Sequence, residues 1–130
     1  MAYGRPVAVA SGGVLVVAGV LGFVPGVTTH ASNLAFAGHG SHADLLGHFQ
    51  VSVLLNLVHI ATGLAVVAFA RTDAAAQSCL TGCGIAYLLI WVLGPLAIGG
   101  WVPLNTADNW LHLVTGSALL GLGSLAGRGS

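Results

Sequence analysis

Four long apolar runs set the pattern of this chain, and single charged residues punctuate them. Between Arg5 and Asp44, Asp44 and Arg71, Asp73 and Asp108, and Asp108 and Arg128 there is no Asp, Glu, Lys or Arg. Each gap holds one uncharged run of about 18 residues or more. A helix rises about 1.5 Å per residue, so about 20 residues cross a hydrocarbon layer of about 30 Å. The pattern predicts four spans, at roughly 7–24, 46–70, 79–98 and 110–126. Helices are expected because an unpaired backbone amide in lipid costs several kcal/mol, and the short alternating strands of a barrel are absent. No span carries the polar stripe that a helix of a water-soluble bundle needs. The expected fold class is all-α: an integral membrane four-helix bundle forming one domain over residues 1–130.

Composition sharpens this picture. Of 130 residues, 56% are hydrophobic and only 5% charged, and the mean hydropathy is +0.95. An ordinary soluble domain is roughly 25% charged. The net charge is zero. A nucleic-acid partner is excluded, because neutralising phosphates takes a dense basic face. A disordered chain is excluded because it would be polar. The lipid bilayer is the partner that the composition calls for.

The cations fix an orientation. Arg5 precedes the first span, Arg71 lies between the second and third, and Arg128 follows the fourth. All three fall on one side of a four-span topology. The positive-inside rule places that side, with both termini, in the cytoplasm. The segments 25–45 and 99–109 then face outward. The first run is long for a signal-peptide core, and Thr28-Thr29-His30-Ala31-Ser32 makes a poor cleavage site, so a retained span is expected.

The two halves resemble each other. Asn56-Leu57-Val58-His59-Ile60-Ala61-Thr62-Gly63 matches Asn109-Trp110-Leu111-His112-Leu113-Val114-Thr115-Gly116 as N-x-x-H-[IL]-x-T-G. This predicts two repeated helix pairs related by an axis along the membrane normal. The Ala-Asp pairs at 43–44 and 107–108 stand at different distances from the octet, so they do not share its alignment. Glycine is abundant, at 20 residues. Ala8/Gly12, Ala18/Gly22, Gly82/Ala86, Ser117/Gly121 and Gly123/Gly127 have the small-x-x-x-small spacing that lets helix backbones approach in lipid. The same spacing also serves self-association.

Several strings carry a family resemblance. They are Gly-Val-Leu-Gly-Phe-Val-Pro-Gly-Val-Thr at 19–28, Leu34-Ala35-Phe36-Ala37-Gly38, Leu45-Leu46-Gly47-His48-Phe49-Gln50-Val51-Ser52 and Asn56-Leu57-Val58-His59. The most specific runs from Trp101-Val102-Pro103-Leu104-Asn105 through Thr106-Ala107-Asp108-Asn109 to Trp110-Leu111-His112-Leu113. Together they resemble the bacterial membrane family catalogued as domain of unknown function 4383. The resemblance implies a small four-helix protein of the bacterial inner membrane, with no assigned activity. In that family a His often stands just before the span-two Asn; here the position is Leu55.

Candidate chemistry is sparse. His59 lies deep inside span two, and His112 is its counterpart one turn into span four. Polar groups in hydrocarbon are costly unless paired, so they face the bundle interior. Two readings stay open. Each His hydrogen-bonds Asn or Thr across helices, with Asn56 and Asn109 on the same face suited to the task. Alternatively, His59 and His112 ligate haem b or a chlorophyll-type pigment, with Asn56 and Asn109 in support and Gly63 and Gly116 leaving room for the macrocycle. A weaker metal reading joins Asp44 and His48, at i and i+4 on a helix, to Asp108 and its i+4 partner His112, with His39 and His42 nearby. Against it, Asp44 and Asp108 serve as helix N-caps, and His30, His39 and His42 belong to a solvated loop. Cys79 and Cys83 are at i and i+4 in a reducing compartment and read as packing residues. Trp91, Trp101, Trp110 and Tyr3 suit interfacial anchoring, and residues 28–43 suit a short surface helix.

No triad, phosphate loop or carboxylate pair appears, so no enzymatic activity is expected. The expected role is a non-enzymatic subunit or scaffold that packs against itself or a larger membrane complex. The alternatives are the pigment or haem carrier and, more weakly, a small-solute or proton pathway lined by His59, Asn56, Asn109 and His112.

Overall fold

A computed structural model describes residues 3–37, 41–93 and 106–128. Its helices are α1 (Gly4–Leu21), α2 (Val53–Phe69), α3 (Asp73–Leu93) and α4 (Thr106–Arg128). Between α1 and α2 lie a 3-10 turn at Ala31–Asn33 and three short strands, β1 (Thr28–Thr29), β2 (Ala43–Leu45) and β3 (Phe49–Val51). Gly4–Leu21, Asp73–Leu93 and Ala107–Arg128 are long and apolar enough to cross a membrane. The apolar helix α2 has 17 residues and spans only about 25 Å.

Local chemistry explains where the helices start. Pro6 sits in the first turn of α1, where a missing amide proton costs nothing. The first three amides of α2 find partners outside the regular helical pattern, and the fourth makes the first i to i−4 bond. Val53 and Leu54 donate to the carbonyls of Ala35 and Phe36, Leu55 donates to Ser52 Oγ at 3.1 Å, and Asn56 donates to the Ser52 carbonyl. Thr72 Oγ1 caps α3 by accepting from the Ala75 amide at 3.1 Å. Arg128 falls in the last turn of α4, where a cation suits the helix dipole.

The helices run alternately up and down. Gly12 faces Gly63 and Gly19 faces Ile60, so α1 and α2 are antiparallel. Gly84 faces Gly116 and Gly123 faces Thr81, so α3 and α4 are antiparallel too. Gly4 lies against Asp73, which puts the starts of α1 and α3 at one end. There the Arg5 amide donates to Asp73 Oδ1 at 3.0 Å and Arg5 Nε to the Ala70 carbonyl at 3.2 Å. Gly127 packs on Gln77 near the start of α3, so Arg128 joins Arg5 and Arg71 at that end. The strands and Asp44 belong to the opposite end.

Each helix buries a single stripe. On α1 it is Gly4, Ala8, Gly12, Leu15 and Gly19; on α3 it is Ala76, Leu80, Gly84 and Tyr87, which answer the first four of these at one constant interval. Leu55, Gly63, Val66 and Ala70 likewise answer Asp108, Gly116, Leu119 and Gly123 at a second interval, the same one that aligns the N-x-x-H octets. Small residues let the backbones cross closely: a Cβ on Gly84 would meet the Gly116 carbonyl oxygen at 2.9 Å.

The structure corrects several expectations. The second span begins at Val53, not at residue 46, because residues 43–51 pair as a hairpin. Its turn places Leu46 (φ 54°) and Gly47 (φ 73°) in the left-handed region, a conformation that interrupts a helix. Among the described residues of the segment 28–43 there is no surface helix beyond one 3-10 turn, and Thr28 and Thr29 pair with Leu45 and Asp44. The third helix starts at Asp73 rather than 79, which shortens the preceding loop to Ala70, Arg71 and Thr72. Gly82, Ala86, Ser117 and Gly121 are exposed, and a Cβ on Gly82 or Gly121 would meet nothing, so these pairs make no helix crossing among the described residues. Span-three residues 94–98, the segment 99–105 with Trp101, and His39 lie outside the described residues.

Candidate functional site

The helix stripes bring three rings together in the middle of the bundle. His59 comes from α2, Tyr87 from α3 and His112 from α4. The His59 and His112 ring centres are 6.3 Å apart, with the planes at 47°. Tyr87 stands 6.2 Å from His59 and 5.7 Å from His112, with interplanar angles of 25° and 22°. The separations suit stacked aromatic contact. His112 is only 2% exposed, and neither of its ring nitrogens has a hydrogen-bond partner. A buried polar group left unpaired costs about 1–3 kcal/mol, so this cluster is where the fold gives up stability.

A cavity of about 320 Å³ opens beside the rings, between α1 and α4. Leu15 and Ala18 of α1 and Thr115 and Leu119 of α4 form its walls, and His59, Tyr87 and His112 form its floor. Val14 and Val114 line it as well, and they are 69% and 61% exposed, so the mouth opens on the outer surface of the bundle. No charged residue lines it among the described residues.

The expected hydrogen bonds between His and Asn are not made. Asn56 is 0% exposed, and its amide oxygen and nitrogen both lack partners. Its side chain packs on Gly22, the residue that follows α1, and its backbone carbonyl on Gly19 of α1. Asn109 Oδ1 is also buried and unpaired. Asn56 and Asn109 share a register with the histidines but not a bond.

The outer metal grouping is not assembled either. Asp44 pairs with Gln50 in the sheet register, and His48 is exposed in the hairpin turn, so the helical i and i+4 relation between them is absent. Asp44 caps no helix; Ser52 caps α2 instead. Asp108 is 2% exposed in the first turn of α4. Among the described residues no three His, Cys, Asp or Glu side chains are placed to hold a metal ion. Cys79 and Cys83 are free and half-buried on α3, packed against the core.

The tetrapyrrole reading meets a steric obstacle. A macrocycle held axially by both His59 and His112 lies in the plane bisecting them. Tyr87, nearly equidistant from the two rings, occupies that plane. The residues as arranged therefore do not fit a bridging haem. Tyr87 escaped the sequence reading because one tyrosine in an apolar helix carries no motif. The interval that carries Gly12 to Gly84 also carries Leu15 to Tyr87, so the α1 stripe was the signal available.

Fold and site together define a small, apolar four-helix protein with a buried histidine–tyrosine cluster. The family described as Domain of unknown function (DUF4383) matches residues 5–125, and the chain belongs to that family. No curated protein and no solved structure matches it.

Proposed function

We propose that the protein is an integral membrane protein of the bacterial inner membrane, crossing it four times with both termini in the cytoplasm, and that it serves as a non-enzymatic subunit or scaffold. The observation that carries this reading is where apolar and charged side chains lie. Val14, Leu64, Leu89 and Leu125, one from each helix, are exposed, while Arg5, Arg71, Asp73 and Arg128 gather at one end. In water such a surface would aggregate; in lipid it is a solvent match. The cluster of arginines at one end supports the cytoplasmic assignment. The paired stripes support descent of the two halves from one helix pair. The exposed small residues Gly82, Ala86, Ser117 and Gly121 offer close-packing faces to a second copy or a larger subunit.

Carbonate extraction and reporter fusions test the placement. The protein should stay in the membrane pellet, and both terminal reporters should report the cytoplasm; release into the supernatant or opposite-face reporters would overturn it. Gentle solubilisation tests the subunit role. A species larger than the monomer supports it, and a lone monomer from native membranes refutes it.

A further inference from the structure

We infer that the notch between the start of α1 and the end of α2 binds a phospholipid whose headgroup carries both a phosphate and a primary ammonium, the chemistry of phosphatidylethanolamine. The inference rests on the bilayer placement and adds a lipid of stated chemistry to it. The notch measures about 600 Å³ and is lined by Arg5, Pro6, Val9, Ala10, Ala70 and Asp73. It brings one cation and one anion to the same opening. Arg5 Nε donates to the Ala70 carbonyl at 3.2 Å, and Asp73 Oδ1 accepts the Arg5 backbone amide at 3.0 Å. A neutral carbonyl thus anchors the guanidinium, whose planar fork of donors suits a phosphate. A carboxylate has about four lone-pair sites, so the one backbone amide leaves Asp73 acceptors for an ammonium. A headgroup bearing both charges answers both residues. A phosphate without an ammonium would set a like charge beside Asp73, and a choline headgroup has no hydrogen to donate to it.

The rest of the notch suits the apolar part of the lipid. Arg5 and Val9, and likewise Pro6 and Ala10, stand at i and i+4, so each pair shares a face of α1. Val9 is 49% exposed, and one turn further along a Cβ on Gly13 would meet nothing. An acyl chain therefore has an open apolar track that leads away from the two charges. Depth agrees with this. The notch lies at the end of the bundle where Arg5, Arg71 and Arg128 gather, and each turn of α1 carries the track about 5 Å further toward the centre of the bilayer. Charge at the headgroup level and apolar surface below it follow the layering of a phospholipid leaflet.

The test uses the full chain in detergent, read by native mass spectrometry, with dioleoyl phosphatidylethanolamine, phosphatidylcholine and phosphatidylglycerol as probes. Wild type should bind the first phosphatidylethanolamine at least about threefold more tightly than either other lipid, the scale of one exposed ion pair. Asp73→Asn keeps an oxygen for the Arg5 amide and loses the charge. It should erase that preference and leave phosphatidylcholine unchanged. Arg5→Gln should weaken phosphatidylethanolamine and phosphatidylcholine alike, by about fivefold, the scale of one cation at a membrane surface. Arg128→Gln lies outside the notch and should change neither. Free phosphoethanolamine, which has the headgroup and no chains, should not displace the lipid at equal concentration. Far-UV circular dichroism identifies variants that keep their helices, and if one does not fold, the wild-type preference and the competition decide. Equal affinity for the three lipids, a preference for phosphatidylglycerol, a preference that survives Asp73→Asn, or displacement by phosphoethanolamine would overturn the site. Such a failure concerns lipid choice in detergent and leaves the four-span placement to its own extraction and reporter tests.

Discussion

Gly12 of α1 and Gly63 of α2 meet backbone to backbone: a Cβ on Gly12 would stand 2.6 Å from the Gly63 carbonyl oxygen, and one on Gly63 2.5 Å from that of Gly12. No side chain fits there without moving a helix. Gly63→Val should therefore destabilise the protein by about 2 kcal/mol or more, the scale of overpacking a close contact. Gly13→Ala and Gly82→Ala point into open space and should change stability by less than about 0.5 kcal/mol. Thermal unfolding in detergent compares them, and equal losses at crossing and open positions would refute the crossing.

Ser52 governs the junction between the sheet and α2. Its Oγ accepts the Leu55 amide, and the residue is fully buried. Ser52→Ala should cost about 1 kcal/mol, while Ser52→Thr, which keeps the acceptor, should cost much less. The loss should be absent if α2 in fact begins upstream, at residue 46, because Ser52 would then lie inside the helix. Unfolding of the two variants side by side decides this.

The helices were legible because charge and apolar length are one-dimensional signals. Runs bounded by Arg5, Asp44, Arg71, Asp73, Asp108 and Arg128 announced four helices, and four are present among the described residues. The octet repeat pointed to His59 and His112, which do meet. The hairpin at 43–51 was not legible, because Leu45, Leu46, Phe49 and Val51 extend the apolar run that follows. Only the left-handed Leu46 and Gly47 break it, and backbone handedness leaves little trace in composition. The hydrogen bonds of Asn56 were misread for a related reason. Shared helical face says which residues are neighbours, yet the depth of Gly22 decides that Asn56 turns toward α1.

His112 offers a test of whether its ring is bonded in the folded protein. A histidine that bonded its neighbours would lower stability when removed. Here both nitrogens are buried and unpaired, so His112→Leu replaces an unsatisfied polar ring with an apolar side chain. The ligand-free variant should be as stable as wild type or more so, by about 1–2 kcal/mol. A melting temperature well below wild type would show that His112 is bonded in the folded protein.

Tyr87 decides the tetrapyrrole question. Its ring stands nearly equidistant from His59 and His112, where a macrocycle held between them would extend, so purified wild type supplied with haemin should show no spectrum of iron ligated by two histidines. Tyr87→Ala removes the obstruction while leaving both imidazoles on their helices. With the two rings 6.3 Å apart, this variant should take up haemin and show a low-spin band, and adding His59→Leu should abolish that band. The band must depend on both histidines; one that survives His59→Leu reports adventitious haem. A wild-type protein that binds haem through His59 and His112 would instead mean that Tyr87 swings out of the plane.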